Sequence, residues 1–155
     1  RVRGLRSVTG SVDPTREAMA LFRDLPPDRP IAMINLLRFR ETAAYPADHP
    51  DHDQARTGAE AYAAYGRAAA PPFSRSGGRQ IWLGRPELTL IGPQDETWDL
   101  AFIAWYPSGE AFGAMLRDPE YRTAVVHRQA AVADSRLIRC APSEPGAGFG
   151  ESRPA

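Results

Sequence analysis

The sequence contains no lysine, and all 19 of its basic residues are arginine. This absence excludes every mechanism that needs a lysine amine, including Schiff-base catalysis and the anchoring of pyridoxal phosphate. The single cysteine, Cys140, cannot form an internal disulfide. Its position at the end of a predicted strand favours a small buried hydrophobe over a nucleophile. A chain that uses cysteine so little is typical of the cytoplasm, where we expect this protein to reside.

Long apolar runs and an excess of charge of either sign are also missing. No stretch approaches the about 18 apolar residues that a membrane-spanning helix requires, and the N-terminal residues RVRGLRSVTG lack an apolar signal core. The 19 basic and 19 acidic residues give a formal net charge of zero. We therefore expect neither nucleic acid nor a membrane as a partner.

The length of 155 residues and the hydrophobic content of 43% predict one globular domain with a sizeable core. Hydrophobic periodicity and turn residues place an α+β domain at residues 31–140. The order of its elements is βαββαβ, the order of the ferredoxin-like fold. Its strands are predicted at 31–39, 79–83, 98–106 and 134–140, and its helices at 58–70, 109–116 and 119–133.

Several of these elements carry recognisable end signals. Thr57 and Glu60 have the spacing of a capping box at the start of the first helix of the domain. Pro71 and Pro72 are predicted to bend or end that helix, because proline lacks the N–H that an inner helical turn needs. The second strand is predicted to resume at residues 88–91.

Two further segments flank the predicted domain. Residues 1–30 form an N-terminal extension with a short helix at 14–24, for which Asp13 is a suitable N-cap. Residues 141–155 are rich in glycine and proline and are predicted to be an irregular tail, with Phe149 as the obvious anchor onto the domain or a partner subunit.

Residues 100–106 of the third strand are apolar on both faces, which predicts the quaternary structure. In a lone ferredoxin-like domain the helices cover one face of the sheet, and the other face should alternate to polar residues. A second copy of the same sheet, related by a two-fold axis, is the simplest cover for an apolar second face. We therefore predict a homodimer that packs through its sheet faces, with the N-terminal helix as the alternative cover.

Arg128 is the sharpest candidate for a functional residue. Successive residues of a helix are about 100° apart, and on this spacing Arg128 falls near the middle of the inward stripe of the helix at 119–133, the row of mainly apolar residues that faces the core. An arginine that points at a core must meet a carboxylate, carbonyl oxygens or a ligand anion. A buried ion pair with Asp134 or Asp99 and a ligand-binding pocket are the alternatives.

Two further polar residues accompany Arg128. His127 lies on the flank of the same stripe, where it is predicted as a catalytic acid or base beside Arg128, with a structural hydrogen bond as the alternative. Asn35 interrupts an apolar strand, and its amide must either bond locally or face a polar pocket. We predict that Asn35 contacts a substrate.

Aromatic residues supply the predicted walls of that pocket, and the alternative for each is ordinary core packing. The segment 49–53, HPDHD, resembles metal ligands in composition but matches no standard spacing, so we expect neither a metal nor a cofactor there. A solvated loop near the pocket mouth is the interpretation that we favour for it. The predicted substrate-binding aromatic residues are Tyr62, Tyr65, Trp82 and Tyr106.

Five segments, in this order along residues 31–140, resemble domain-of-unknown-function family 1330. That family belongs to the dimeric α/β-barrel superfamily, which has the ferredoxin-like fold. The resemblance implies a pocket between the sheet and its own helices, as the residues also suggest. The segments are MINLLRFR (33–40), AYAAYG (61–66), GGRQIWLG (77–84), WDLAFIAWYPS (98–108) and DPEYRTAVVHRQAAVADSRLI (118–138).

The chemistry of that superfamily is too varied to be transferred from fold alone. The first hypothesis is a cofactor-free isomerase, cyclase or monooxygenase that acts on a hydrophobic carbonyl compound. Arg128 or Asn35 would hold the developing oxyanion and His127 would move the proton. The second is a ligand-binding or accessory dimer without turnover, and the third a purely structural dimer in which carboxylates neutralise Arg128.

Overall fold

The computed structural model describes residues 10–153. These residues form four α-helices, a short 3-10 turn at His52–Gln54, a main sheet of four strands and a small hairpin near the C-terminus. The helices are α1 (Arg16–Asp24), α2 (Gly58–Arg75), α3 (Gly109–Arg117) and α4 (Pro119–Ala131). The strands are β1 (Ile31–Phe39), β2 (Arg79–Gly84), β3 (Leu100–Tyr106), β4 (Val132–Cys140), β5 (Glu144–Pro145) and β6 (Ser152–Arg153).

The main sheet is antiparallel throughout and has the strand order β2-β3-β1-β4. This order, with helices between β1 and β2 and between β3 and β4, confirms the predicted ferredoxin-like fold. Because side chains alternate along a strand, each strand contributes to two faces. One face, which we call the inner face, carries Ile31, Met33, Asn35 and Leu37 of β1 with Leu100, Phe102, Ala104 and Tyr106 of β3. The opposite face, which we call the outer face, carries Ala32, Ile34 and Leu36 of β1 with Ala101, Ile103 and Trp105 of β3.

Helices α2 and α4 pack against each other and, with α3, cover the inner face. Leu37 and Val132 are completely buried beneath them, and alanines of α2 and α4 allow the helices to approach closely. Burying a side chain such as Leu37 contributes about 1.5–3 kcal/mol, so these contacts dominate the stability of the domain. Tyr106, Phe112 and Met115 form a second cluster at the other end of the sheet.

Helix α2 begins as predicted and ends later than predicted. The Thr57 hydroxyl accepts a hydrogen bond from Glu60 N–H at 3.1 Å, and the Glu60 carboxylate accepts one from Thr57 N–H at 3.1 Å, which confirms the capping box. The predicted end at residue 70 is wrong, since the helix continues through Pro71 and Pro72 to Arg75. The ring of Pro72 is fully buried, and this packing offsets the hydrogen bonds that proline cannot make.

The structure also corrects three smaller predictions. Helix α1 begins at Arg16 behind Thr15, whose hydroxyl accepts from Ala18 N–H at 3.0 Å, and Asp13 instead accepts from the Gln129 side chain. Residues 88–91 are not a strand. The tail is not wholly irregular, because β5 pairs with β6, and Phe149 at its tip is fully exposed rather than anchored to the domain.

Helix α1 lies on the same side of the sheet as the other helices. Its Phe22 ring packs 5.3 Å from the ring of Phe112 in α3, and the guanidinium of Arg139 donates to Pro26 O at 2.7 Å. The N-terminal helix is therefore not the cover of the outer face. None of the described helices covers that face, and Ile138 of β4 keeps 49% of its surface exposed there.

Gly58, the first residue of α2, sits where the chain leaves no room for a side chain. A Cβ atom at this position would lie 2.1 Å from Arg40 O and 2.8 Å from Ala131 O, both rigid backbone atoms. We expect Gly58→Ala to destabilise the domain by about 1–3 kcal/mol, as overpacking does. Gly66→Ala in the same helix is the matched control. A Cβ there meets nothing within 4 Å, and alanine should stabilise by about 0.4–1 kcal/mol. Urea unfolding measures both variants, and equal effects would contradict the steric argument.

Candidate functional site

A cavity of about 890 Å³ lies between the inner face of the sheet and the helices. Its walls are mainly apolar, with Met33, Phe102 and Ala104 contributed by the sheet. Helix α1 supplies a further part of the wall, through Phe22 and its neighbours. The volume is in the range of about 300–1,000 Å³ that small-molecule sites occupy.

Arg128 brings a positive charge to this cavity. One of its guanidinium nitrogens donates to Val12 O at 2.5 Å, and the other terminal nitrogen lies 3.4 Å from the Ser135 hydroxyl. These two contacts leave further N–H donors of the guanidinium without an assigned acceptor among the described residues. Ser135 is held in turn, because its hydroxyl donates to Ser11 O at 2.7 Å.

The alternative in which a carboxylate neutralises Arg128 does not match the structure. In the described part of the chain no carboxylate lies within 4.0 Å of its guanidinium. Asp134 pairs with Arg136 at 2.9 Å and with Arg38 at 3.9 Å, and Asp99 accepts a hydrogen bond from Phe39 N–H at 2.8 Å. Burial raises the pKa of Asp134, but hydrogen bonds from Ser11, Arg136 and Ser135 outweigh it and bring that pKa below its usual value.

Asn35 presents an acceptor to the same cavity. Only 8% of the residue is exposed, and its side-chain nitrogen donates to Met33 O at 3.1 Å. Its side-chain oxygen has no partner among the described residues. No fully enclosed side-chain nitrogen or oxygen of those residues lacks a hydrogen bond, so this oxygen must reach the open space of the cavity. The amide thus satisfies one of its groups locally and leaves the other for a ligand.

Four tyrosines also line the cavity. The hydroxyls of Tyr65 and Tyr121 lie 2.9 Å apart and share a hydrogen bond. Burial raises the pKa of Tyr62, Tyr65, Tyr106 and Tyr121, and the positive charge of Arg128 offsets only part of this rise for all except Tyr106. These side chains therefore stay protonated at neutral pH and act as hydrogen-bond donors rather than as bases.

Five of the seven predicted site residues line the cavity together, and two do not. Asn35, Tyr62, Tyr65, Tyr106 and Arg128 are the five.

The two that lie elsewhere are Trp82 and His127. Trp82 is 54% exposed and pairs with Ile103, which places it on the outer face. His127 does not line the cavity, and its ring contacts Tyr45 and Asp51 of the loop between β1 and α2 instead. The expected pairing of His127 with Arg128 in one site is thus not what the structure shows, and the catalytic role of either residue stays a prediction.

His127 belongs instead to a second polar cluster under the loop between β1 and α2. Its Nδ1 lies 2.6 Å from the Tyr45 hydroxyl and 3.8 Å from a carboxylate oxygen of Asp51. His49 stacks on the Tyr45 ring, and Arg56 contacts the same Asp51 oxygen at 3.0 Å. Burial lowers the pKa of His127, an effect that the negative charge of Asp51 partly offsets.

Local sequence patterns do not identify some of the residues that shape the cavity and the cluster around His127. Val12 and Ser11 contact Arg128 and Ser135 through backbone carbonyl groups, which every residue type carries. Tyr121 lies on α4, and its hydrogen bond to Tyr65 depends on how α2 packs on α4. Tyr45 stands in a loop whose polar composition indicated solvation.

The fold and the cavity together define a ferredoxin-like α+β protein with a small-molecule-sized pocket between sheet and helices. The sequence profile of the family described as domain of unknown function (DUF1330) matches residues 53–140, more than half of the chain. The chain belongs to this family, as the resemblance of its motifs predicted. No curated protein matches it.

Two solved structures with a similar sequence also have a similar fold. A protein of unknown function from Rhodopseudomonas palustris is 58% identical over 88% of this chain and 100% of its own, with a TM-score of 0.81. The methylated form of that protein is 57% identical over 89% of this chain and 98% of its own, with a TM-score of 0.82. A dimeric protein of unknown function with a ferredoxin-like fold from Bacteroides fragilis is 13% identical over 72% of this chain and 95% of its own. The TM-score of that structure is 0.43.

None of the helices in residues 10–153 is long and apolar enough to cross a membrane.

Proposed function

We propose that this protein binds a small hydrophobic compound that carries a carboxylate or carbonyl group. The observation behind the proposal is the apolar cavity with Arg128 at its wall and no carboxylate beside that arginine. A ligand oxygen is the partner that the remaining guanidinium donors lack. The apolar walls would take the hydrocarbon part of the ligand, and burial of that part would supply most of the affinity.

The side chains around Arg128 suit such a ligand. The tyrosine hydroxyls are donors at neutral pH, and they would assist Arg128 in holding an oxygen atom. The side-chain oxygen of Asn35 is an acceptor, and it would select for a ligand hydroxyl or amine near the sheet. We place the polar end of the ligand between these groups.

Binding without turnover accounts for the site better than catalysis does. A cofactor-free isomerase, cyclase or monooxygenase needs a base that can reach the substrate. Among the described residues that line the cavity there is no histidine, and Asp13, the one carboxylate, is exposed and accepts a hydrogen bond from Gln129. Catalysis on a hydrophobic carbonyl compound is therefore our second candidate, with Arg128 as the group that would hold the oxyanion.

We also infer that two copies of the chain associate through the outer face of the sheet. Its centre is formed by Ile34, Ile103 and Trp105, which none of the described helices covers. Charged residues such as Arg79 and Arg136 border this apolar centre, an arrangement typical of protein interfaces. A two-fold axis would place two such faces against each other, which favours a second copy as the occupant.

Calorimetry with two matched probes tests the proposed ligand class. The probes are 2-naphthoate and 2-naphthalenemethanol, which share a ring system and differ in the carboxylate. A hydrogen bond to a charged group contributes about 1.5–3 kcal/mol, so we expect the carboxylate to bind about 10- to 150-fold more tightly. Equal affinities would contradict a role for Arg128 as the anion partner. If neither probe bound, the cavity would not be a site for hydrophobic anions.

A further inference from the structure

Three potential metal ligands come together outside the cavity. One nitrogen of His49, one oxygen of Asp51 and one nitrogen of His127 all lie within 4.8 Å of one another. His49 and Asp51 belong to the loop between β1 and α2, and His127 belongs to α4. None of the three lines the cavity, so this cluster is separate from the proposed ligand site and does not depend on it.

The hydrogen bonds of the cluster fix part of its protonation. The Asp51 backbone N–H donates to Nδ1 of His49 at 3.0 Å. A backbone N–H can only donate, so this nitrogen carries no proton and presents a lone pair. Nδ1 of His127 lies 2.6 Å from the Tyr45 hydroxyl, and the two atoms share a hydrogen bond. Unprotonated imidazole nitrogens and a carboxylate oxygen are the groups that bind transition metals.

We propose that His49, Asp51 and His127 form a binding site for a divalent transition-metal ion, and that zinc suits it best. Two imidazoles and one carboxylate are a known zinc ligand set, in which the fourth position stays open for water or another group. The Tyr45 hydroxyl lies beside His127 and is placed to contact that position. Magnesium and calcium prefer ligand sets made of oxygen, so they fit these imidazoles poorly.

The geometry requires a limited contraction of the loop. Ligand atoms around a tetrahedral zinc ion at about 2.0–2.2 Å lie about 3.4 Å apart. The 4.8 Å limit of the cluster therefore asks for a contraction of at most about 1.4 Å. If Nδ1 of His49 is the ligand atom, it would exchange its hydrogen bond from Asp51 N–H for the metal. The moving residues stand beside a short 3-10 turn at His52–Gln54 rather than in a long helix or strand.

Arg56 is the group that competes with a metal for Asp51. Its guanidinium lies 3.0 Å from one carboxylate oxygen, and the Gln54 side chain donates to the other oxygen at 3.0 Å. A carboxylate oxygen accepts more than one contact, so each oxygen keeps a lone pair for a metal. The positive charge of Arg56 lowers the metal affinity of the site, and we expect moderate rather than tight binding.

Zinc titration of the chelator-treated full chain tests the proposal, with His49→Ala and His52→Ala as a matched pair. His52 stands in the same loop but contacts Tyr45 O and lies outside the cluster. We expect one zinc ion per chain for the unchanged protein and for His52→Ala. His49→Ala should bind at least about tenfold more weakly, since removing even a group that only orients a ligand costs about 10- to 100-fold in metal affinity.

The melting temperature is a second measurement, and it distinguishes a loss of zinc binding from a loss of folding in the variants. Zinc should raise the melting temperature of the unchanged protein and of His52→Ala, because a ligand that binds the folded state stabilises it. It should not raise that of His49→Ala. The absence of stoichiometric zinc binding to the unchanged protein, or equal binding by the two variants, would overturn the proposal. Affinity for 2-naphthoate should be the same in all three proteins, which separates this outcome from that of the ligand cavity.

Discussion

Replacing Ile103 by aspartate is expected to convert the protein from a dimer to a monomer. Ile103 lies at the centre of the outer face, opposite Ile34 in β1 and Trp82 in β2. In the proposed dimer an aspartate at this position would be buried without a partner, which costs several kcal/mol. In the monomer the same carboxylate would be hydrated, so the fold itself should survive. Light scattering after size-exclusion chromatography at micromolar concentration measures the change of mass.

A matched substitution on the opposite side of the molecule serves as the control. Ala63→Asp introduces the same charge on the exposed surface of α2 and should leave the dimer intact. Trp105→Asp on the outer face should repeat the effect of Ile103→Asp. A monomeric mass for the unchanged protein at micromolar concentration would refute the dimer, and so would a dimer that survives both outer-face substitutions.

The fold could be predicted from the sequence because its signals are local. Capping residues such as Thr57 and alternating apolar residues act within a few positions of the chain, and they located every helix and strand of the ferredoxin-like domain. The two-sided apolarity of β3 is equally local, and the structure shows that its outer residues stay uncovered by the described helices. The end of α2 was misjudged because the burial of Pro72 is a property of the packed domain.

The position of Trp82 shows how a single backbone irregularity reverses a prediction. In a regular strand, Gln80 and Trp82 would share a face, and Gln80 does line the cavity. The register of β2 against β3 shifts between these two residues, so that Gln80 pairs with Ala104 and Trp82 with Ile103. A β-bulge of this kind sends Trp82 to the outer face. Nothing in the letters RQIWLG marks the extra residue.

The position of His127 depends on contacts that are distant in the sequence. Helical geometry placed it correctly on a flank of α4, next to Arg128 in the chain. What covers that flank is Tyr45, 82 residues away, in a loop whose composition indicated only solvation. The same loop supplies His49 and Asp51 to the cluster. A metal was not expected from the loop alone because its third ligand comes from another element.

Arg128→Met is expected to abolish most of the affinity for 2-naphthoate while leaving the domain folded. Methionine keeps much of the packing volume and removes the charge, so binding should weaken by about 10- to 150-fold. The contacts of Arg128 to Val12 O and Ser135 would also be lost. Each such hydrogen bond contributes about 0.5–1.5 kcal/mol, so the loss of stability should be about 1–3 kcal/mol.

The size of that loss separates a binding role from a structural one. If a carboxylate neutralised Arg128 in solution, the substitution would strand a buried charge and cost about 3–5 kcal/mol. Arg122→Met is the control: it makes the same replacement on the exposed side of α4 and should change neither binding nor stability. Unfolding of the two variants therefore tests the structural role of Arg128, and calorimetry with 2-naphthoate tests its binding role independently. Unchanged affinity in Arg128→Met would refute the anion site. Among the described residues, the one other arginine in the cavity wall is Arg139, and its guanidinium already donates to Phe22 O and Pro26 O.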